Sequence, residues 1–335
     1  MSSLAIKAVD YIWEGLFDEN GLSAIEYERA KVPDNSIFLS KRKFEQEISA
    51  MFFLAGAITM FFLIRYLYQN YILRPYAKSI GMRRSFILRF LENGWYSIYY
   101  VTFFTFGTFV YLKDESFSLF PTTNIWAGWP LQPFPNLYRT YYLLELAFYL
   151  HCTIALFYET KRKDFYQMLT HHISTSILVI MSYWVRYHRI GLAILWIHNI
   201  ADIFLYTAKW LNYVQKENKS KLLYALCEAC FTSFAVSFFF SRLVFFPYTL
   251  LRSTLYEVPN GYPLQVESNV ALFVLVCLHI FWFSLILKII YIKLAKGEDI
   301  DDIRSDSEDE EGNSTKKNAP KKVTDKKSVD FKKDN

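Results

Sequence analysis

Apolar residues gather into seven runs along the chain, near 48–68, 93–112, 141–158, 166–185, 189–210, 222–247 and 270–292. A helix crossing the hydrocarbon core of a bilayer needs roughly 20 such residues, so the pattern predicts an all-α, polytopic membrane bundle of about seven transmembrane helices. None of the runs is purely apolar. Glu145, His151, His171, His172, His198, Asp202, Glu228 and Arg242 fall inside them. A charged side chain at mid-bilayer costs roughly 2.5–3.5 kcal/mol on the insertion scale, which sends these residues to the bundle interior or to a wet cavity.

Composition agrees with that reading. Of 335 residues 53% are hydrophobic and 19% aromatic, with 31 Phe and 25 Tyr against 11 Gly, too apolar for an ordinary soluble domain. The opening MSSLAIKAVDYIWEGLFDEN breaks its apolar stretch with acidic residues, so no signal peptide is expected and the first span serves as an uncleaved insertion signal. All four cysteines lie in apolar runs, and the CxxC of Cys227 and Cys230 reads as small packing residues on a helix rather than a zinc or disulfide motif.

Charge sets orientation. The first, third and fifth connections carry Arg74, Lys78, Arg83, Arg84, Arg89, Lys161, Arg162, Lys163, Lys216, Lys219 and Lys221, against Lys113, Arg139, Arg186, Arg189 and Arg252 in the other three. The basic side faces the cytosol, which places the N-terminus in the lumen although Lys41, Arg42 and Lys43 just before the first span argue the other way. Four regions follow: a luminal segment 1–47, the first helix and linker 48–80, a six-helix domain 81–296 and a cytosolic tail 297–335. The sixth connection, from Phe246 to Asn269, with Pro247, Pro259, Gly261 and Pro263, reads as a luminal loop. The tail has an acidic block followed by a basic one and almost nothing to bury, so disorder is expected. Ser305 and Ser307 within RSDSEDEE are candidate phosphorylation sites, beside the plainer reading of a solubilising tail. Lys332 and Lys333 match a dilysine retrieval address for the endoplasmic reticulum.

The chemistry gathers on the fourth and fifth spans. With a rise of about 1.5 Å per residue, His171 and His172 lie roughly 8–9 Å inside the cytosolic face, Asp202 about 12 Å and His198 about 18 Å. His198, Asp202 and Tyr206 recur at i, i+4 and i+8, with Asn199 and Lys209 beside them, as one polar stripe. Gln167, His171, Ser174 and Thr175 share a face of the fourth span. Adjacent helical residues point about 100° apart, so the two histidines have different roles. A neutral imidazole near a carboxylate serves as general base or nucleophile, with the Asp fixing its tautomer. The plainer alternative is hydrogen bonding between helices. Two tandem histidines, a third and an aspartate at matching depth favour chemistry. The six histidines form neither HxxxH nor HxxHH clusters, and no metal or haem is assigned.

These residues also carry a family resemblance. Glu159 to Tyr213, with KRKDF at Lys161 to Phe165, His171-His172, Arg189-Ile190-Gly191, His198 and Asp202 in order, resembles the longevity-assurance motif of the TLC-domain family and its ceramide synthases. WAGWPLQ at Trp126 to Gln132, YYLLELAFY at Tyr141 to Tyr149 and RLVFFP at Arg242 to Pro247 extend the likeness over about residues 81–311. Asn199 departs from it, since many members carry a second Asp there. The linker between the first two spans is too short for the homeodomain-like insert of some animal members, so no nucleic acid is expected.

The resemblance implies an endoplasmic reticulum sphingoid-base N-acyltransferase with fatty acyl-CoA as co-substrate and no cofactor. Its catalytic residues would be His171, His172 and Asp202, with His171 the reacting one, supported by His198, Asn199 and Tyr206. Lys161, Arg162 and Lys163 would meet the CoA phosphates, or serve only as topology signals. It further implies membrane lipids as neighbours, a homo- or heterodimer, and acyl-chain length set near Tyr248 to Val258. The alternative is a TLC-fold lipid sensor, transporter or chaperone without catalysis, or a regulatory subunit of another acyltransferase.

Overall fold

The computed structural model describes residues 44–115, 117–129, 132–160, 162–258 and 264–296. Residues 1–43 of the expected N-terminal segment, Lys161, the tail serines and the dilysine pair lie outside the described residues. Helix α1 (Phe44–Leu67) continues through a π-helical turn (Tyr68–Leu73) into α2 (Arg74–Ser79), and Gly81, at φ 69°, turns the chain into α3 (Arg84–Lys113). A short 3₁₀ turn (Thr122–Ile125) precedes α4 (Asn136–Ala155), followed by α5 (Phe165–Trp184) and α6 (His188–Asn218). Helix α7 (Lys221–Phe238) runs through a π-helical segment (Phe239–Leu251) into α8 (Arg252–Tyr256), and α9 (Gln265–Lys296) ends the described chain. The fold is all-α, as the hydropathy pattern predicts, and every apolar run falls on a helix.

Four stretches, Ser49–Ser79, His188–Asn218, Lys221–Tyr256 and Gln265–Ala295, are long and apolar enough to cross a membrane by length and composition alone. Helices α3, α4 and α5 fall outside that set, yet their internal polar groups are not exposed. Glu92, Glu145, His151 and His172 are all buried. Outward-facing side chains such as Met51, Phe52, Phe240, Phe273 and Ile280 are instead apolar and largely exposed. An apolar exterior around polar groups turned inward is what a lipid solvent selects.

The sixth connection differs from expectation. The expected loop from Phe246 to Asn269 is helical as far as Tyr256, and helix resumes at Gln265. Pro247 has no N–H to donate and its ring collides with the carbonyl four residues back in an α-helix. The wider π register, with its i→i+5 bonds, absorbs that insult without ending the helix. The chain-length segment expected near Tyr248 to Val258 therefore lies mostly on helix.

Helix α6 is central, packed along α3 on one side and α7 on the other, whereas α5 packs on α4 and α9. An aromatic core of Phe61, Tyr99, Phe103, Phe148 and Tyr206 joins α1, α3, α4 and α6. Within it Glu145 accepts from Tyr99 Oη at 2.9 Å and from Asn199 Nδ2 at 3.0 Å. The α4–α5 loop is tied on both sides. Arg65 of α1 pairs with Glu159 at 2.6 Å, Tyr96 of α3 donates to the same carboxylate at 2.7 Å, and Trp282 of α9 donates to Asp164 at 3.0 Å.

Candidate active site

Helices α5, α6, α7 and α9 enclose a cavity of about 330 Å³. His171 and His172 of α5, Asp202 and Tyr206 of α6, Arg242 of the π segment and Trp282 of α9 line it together. The histidine pair and the aspartate thus meet across one space, as their matched depths predict. The wall continues through Phe231, Phe234, Phe238, Leu285, Ile286 and Ile289, and Arg162, Lys209, Lys216 and Lys293 are among its polar members.

The two histidines are unequal, as adjacency on a helix requires. His172 is buried and His171 half-buried, their ring centroids 5.7 Å apart and tilted by 54°. His171 meets the edge of Trp282 at 5.4 Å, and Tyr149 lies 6.1–6.3 Å from both rings. The Nδ1 of each imidazole is buried without a hydrogen-bond partner. Each ring is held by packing and keeps its bonding capacity for something else.

Asp202 is engaged with a residue of a different element. Arg242 Nη2 lies 2.5 Å from Asp202 Oδ2, and the same nitrogen donates to the His198 carbonyl at 2.8 Å. The guanidinium also lies over the Phe238 ring, 5.0 Å from its centroid. Desolvated Arg–carboxylate contacts are among the strong hydrogen bonds of proteins, so this one fixes the carboxylate against the cavity wall. Sequence reasoning noted Arg242 inside a span but gave it no role. An arginine buried in a span requires a counter-charge, but Arg242 falls about 20 residues into its run, roughly 30 Å by helical rise, and that depth does not point to Asp202.

The expected polar stripe on α6 divides. Asp202, Tyr206 and Lys209 line the cavity, whereas His198 and Asn199 turn away from it. His198 Nδ1 lies 2.6 Å from the Ile194 carbonyl, and its ring packs against Phe246 at 5.0 Å and His279 at 4.9 Å. It supports the site through its main-chain carbonyl. Asn199 acts a helix further off, on Glu145. His279, fully buried on α9, was missed altogether because it interrupts the most apolar run of the chain. Of the basic trio, Arg162 lines the cavity, Lys163 is exposed and is not among the lining residues, and Lys161 lies outside the described residues.

A glycine shapes the start of α6. The Arg-Ile-Gly stretch lies on the first turn of that helix. A Cβ on Gly191 would meet Tyr142 Oη at 1.9 Å and Ser182 Oγ at 2.5 Å. That hydroxyl donates to the His188 carbonyl at 2.8 Å and lies 3.0 Å from Ser182 Oγ. The close approach sets how α4 and α5 seat against α6.

Residues 89–288, which hold the whole constellation, match the family model of the TLC domain. The chain belongs to the TLC-domain family. Among its relatives, ceramide synthase 4 of Bos taurus is 38% identical over 225 residues, 66% of this chain and 55% of the bovine protein. Sphingosine N-acyltransferase lag1 of Schizosaccharomyces pombe is 32% identical over 276 residues, 77% of this chain and 68% of its own length. Ceramide synthase LOH1 of Arabidopsis thaliana is 33% identical over 241 residues, covering 67% and 75%. The TLC-domain match thus takes in the histidine pair, Asp202, Arg242 and Trp282 but stops short of the cavity-lining Ile289 and Lys293, while the match to the bovine relative spans only about half of that protein's length.

Proposed function

We propose that this membrane protein is a ceramide synthase, moving the acyl group of a fatty acyl-CoA to the amine of a sphingoid base such as sphinganine. The observation that carries the reading is the single cavity wall shared by His171, His172 and Asp202, apolar along one flank and basic along another. The names and coverage of the relatives support the same reading. A long acyl chain needs the apolar flank, and a nucleotide thioester needs the cations.

Chemically, the amine nitrogen forms a bond to the thioester carbon, the carbon–sulfur bond breaks, and the thiolate leaves with its electron pair. The amine loses one proton and the thiolate gains one, so a group able to accept and return a proton suffices. His171, half-buried on the cavity wall with an uncommitted ring, is that group, and His172 is its close-packed neighbour. A variant route has the imidazole attack first and hand the acyl group on. The Arg242-bound Asp202 carboxylate supplies fixed negative charge toward the positive charge that develops on the attacking amine nitrogen.

Basic residues on the α4–α5 loop, at the end of α6 and near the end of α9 support a cytosolic mouth. Residence in the endoplasmic reticulum and dimerisation both rest on the family likeness. The test is acyl transfer in microsomes carrying His171→Ala, His172→Ala and Asp202→Asn variants at matched expression. Loss of ceramide formation of about 100-fold or more is expected from removing an acid–base group. Unchanged formation in all three would refute the site and favour a non-catalytic lipid-binding TLC protein.

A further inference from the structure

The cavity wall carries five basic side chains, Arg162, Lys209, Lys216, Arg242 and Lys293, against two acidic ones, Asp202 and Glu228. The two acids sit at different levels. Asp202 is bound to the buried Arg242 beside the histidines. Glu228 of α7 is bound to Lys293 of α9, with both side chains about one-third exposed. Lys293 also stands 6.0 Å over the Tyr224 ring, one helical turn before Glu228. Deeper in the cavity α7 and α9 meet through Phe234, Phe238, Trp282 and Ile286.

Two facts about this pair go together. A partly exposed ion pair is worth only about 0.2–1 kcal/mol, so it exchanges partners readily. Lys293 also lies on the same face of α9 as Trp282, which touches His171. The eleven-position step from one to the other corresponds to about 16 Å of helix. A thioester placed at the histidines would direct its pantetheine arm along that stretch, bringing a diphosphate to the level of Lys293. Arg162 and Lys216 line the same cavity from two further elements.

We infer that Glu228 is a built-in counter-anion that holds Lys293 until a phosphate of the nucleotide displaces it, tuning affinity for the CoA moiety and easing its release. This rests on the acyl-CoA reading above. In the resting protein the glutamate occupies the lysine. When the nucleotide arrives, the lysine turns to its phosphate and the carboxylate is left to water at the mouth. Glu228 touches no reacting atom, so its effect falls on binding rather than on the chemical step.

The experiment uses the full chain in lipid nanodiscs with Glu228→Gln, Lys293→Gln and the double variant. Binding of free CoA and of pantetheine is measured by calorimetry, and acyl transfer is followed with acyl-CoA and with the thioester of N-acetylcysteamine, which lacks the nucleotide. Glu228→Gln is expected to tighten CoA binding and lower the KM for acyl-CoA about two- to fivefold, the worth of such a pair. Pantetheine binding and the KM for the N-acetylcysteamine thioester should not follow. Lys293→Gln should weaken CoA, and the gain from Glu228→Gln should vanish in that background. Unchanged or weaker CoA binding in Glu228→Gln, or a gain that survives without Lys293, overturns the inference. The two readings separate cleanly: CoA binding with this pattern but no acyl transfer defeats only the synthase assignment, and transfer with an unresponsive KM defeats only the role of Glu228.

Discussion

Replacing Arg242 with Met keeps most of the side-chain volume and removes the charge that faces Asp202. Both groups are largely buried, with 5% and 17% of their side-chain surface exposed. Removing one member of a buried pair costs about 3–5 kcal/mol, because the other charge remains without compensation. The lower end, about 3 kcal/mol, applies here because Asp202 faces a cavity that water can enter. Arg242→Met also deprives the His198 carbonyl of a donor 2.8 Å away. Asp202→Asn should cost less, since an amide still accepts from the guanidinium. The double variant removes both charges together and should recover most of the stability lost in Arg242→Met, while acyl transfer stays absent because Asp202 belongs to the site. Reversible unfolding in mixed detergent micelles, read by circular dichroism, gives the three differences. Costs that add to within about 0.5 kcal/mol would mean the residues are uncoupled, and the argument that Arg242 fixes the carboxylate would fail.

Two further outcomes test the frame around the site. Gly191→Ala should destabilise by about 1–3 kcal/mol through overpacking, since its Cβ would run into Tyr142 Oη. Adding Tyr142→Phe should return part of the loss, and thermal melting of the purified chain checks both. Asn199→Asp, the residue found in many family members, should cost about 1–3 kcal/mol here, because it sets an acceptor against the buried Glu145 carboxylate. Glu145→Gln in the same chain restores a donor and should recover the melting temperature. If Asn199→Asp melts like the parent, the contact is unimportant.

The helices were legible because lipid imposes a length and a polarity on each span, and both are written in the one-dimensional pattern. Depth was legible for the same reason, which is why His171, His172 and Asp202 could be matched before any contact was known. Rotation was not. A residue's azimuth depends on how neighbouring helices are turned, and α6 is turned so that Asp202 and Tyr206 face the cavity while Asn199 faces α4. The partner of Asp202 was hidden for a related reason, since it comes from a segment whose π register shifts the face that Arg242 presents. Pro247 read as an end to helix because the rule it follows is one for the α register. His279 escaped notice as a single polar position in a run whose remaining residues announce only lipid.

Arg65 has a bearing on how such proteins can be taken apart. It belongs to α1, ahead of the segment that matches the TLC domain, yet it supplies the cation for Glu159 at the entrance to the α4–α5 loop. Excising the recognised domain at its own boundary would leave that carboxylate among buried neighbours without its α1 cation, with the Tyr96 hydroxyl still donating to it. Chimaeras that exchange TLC domains between relatives should therefore carry the preceding helix along with them, or pair a foreign first helix with a foreign loop. The boundary drawn by similarity is in this respect a boundary of ancestry, and it cuts across a buried ion pair that the two sides share.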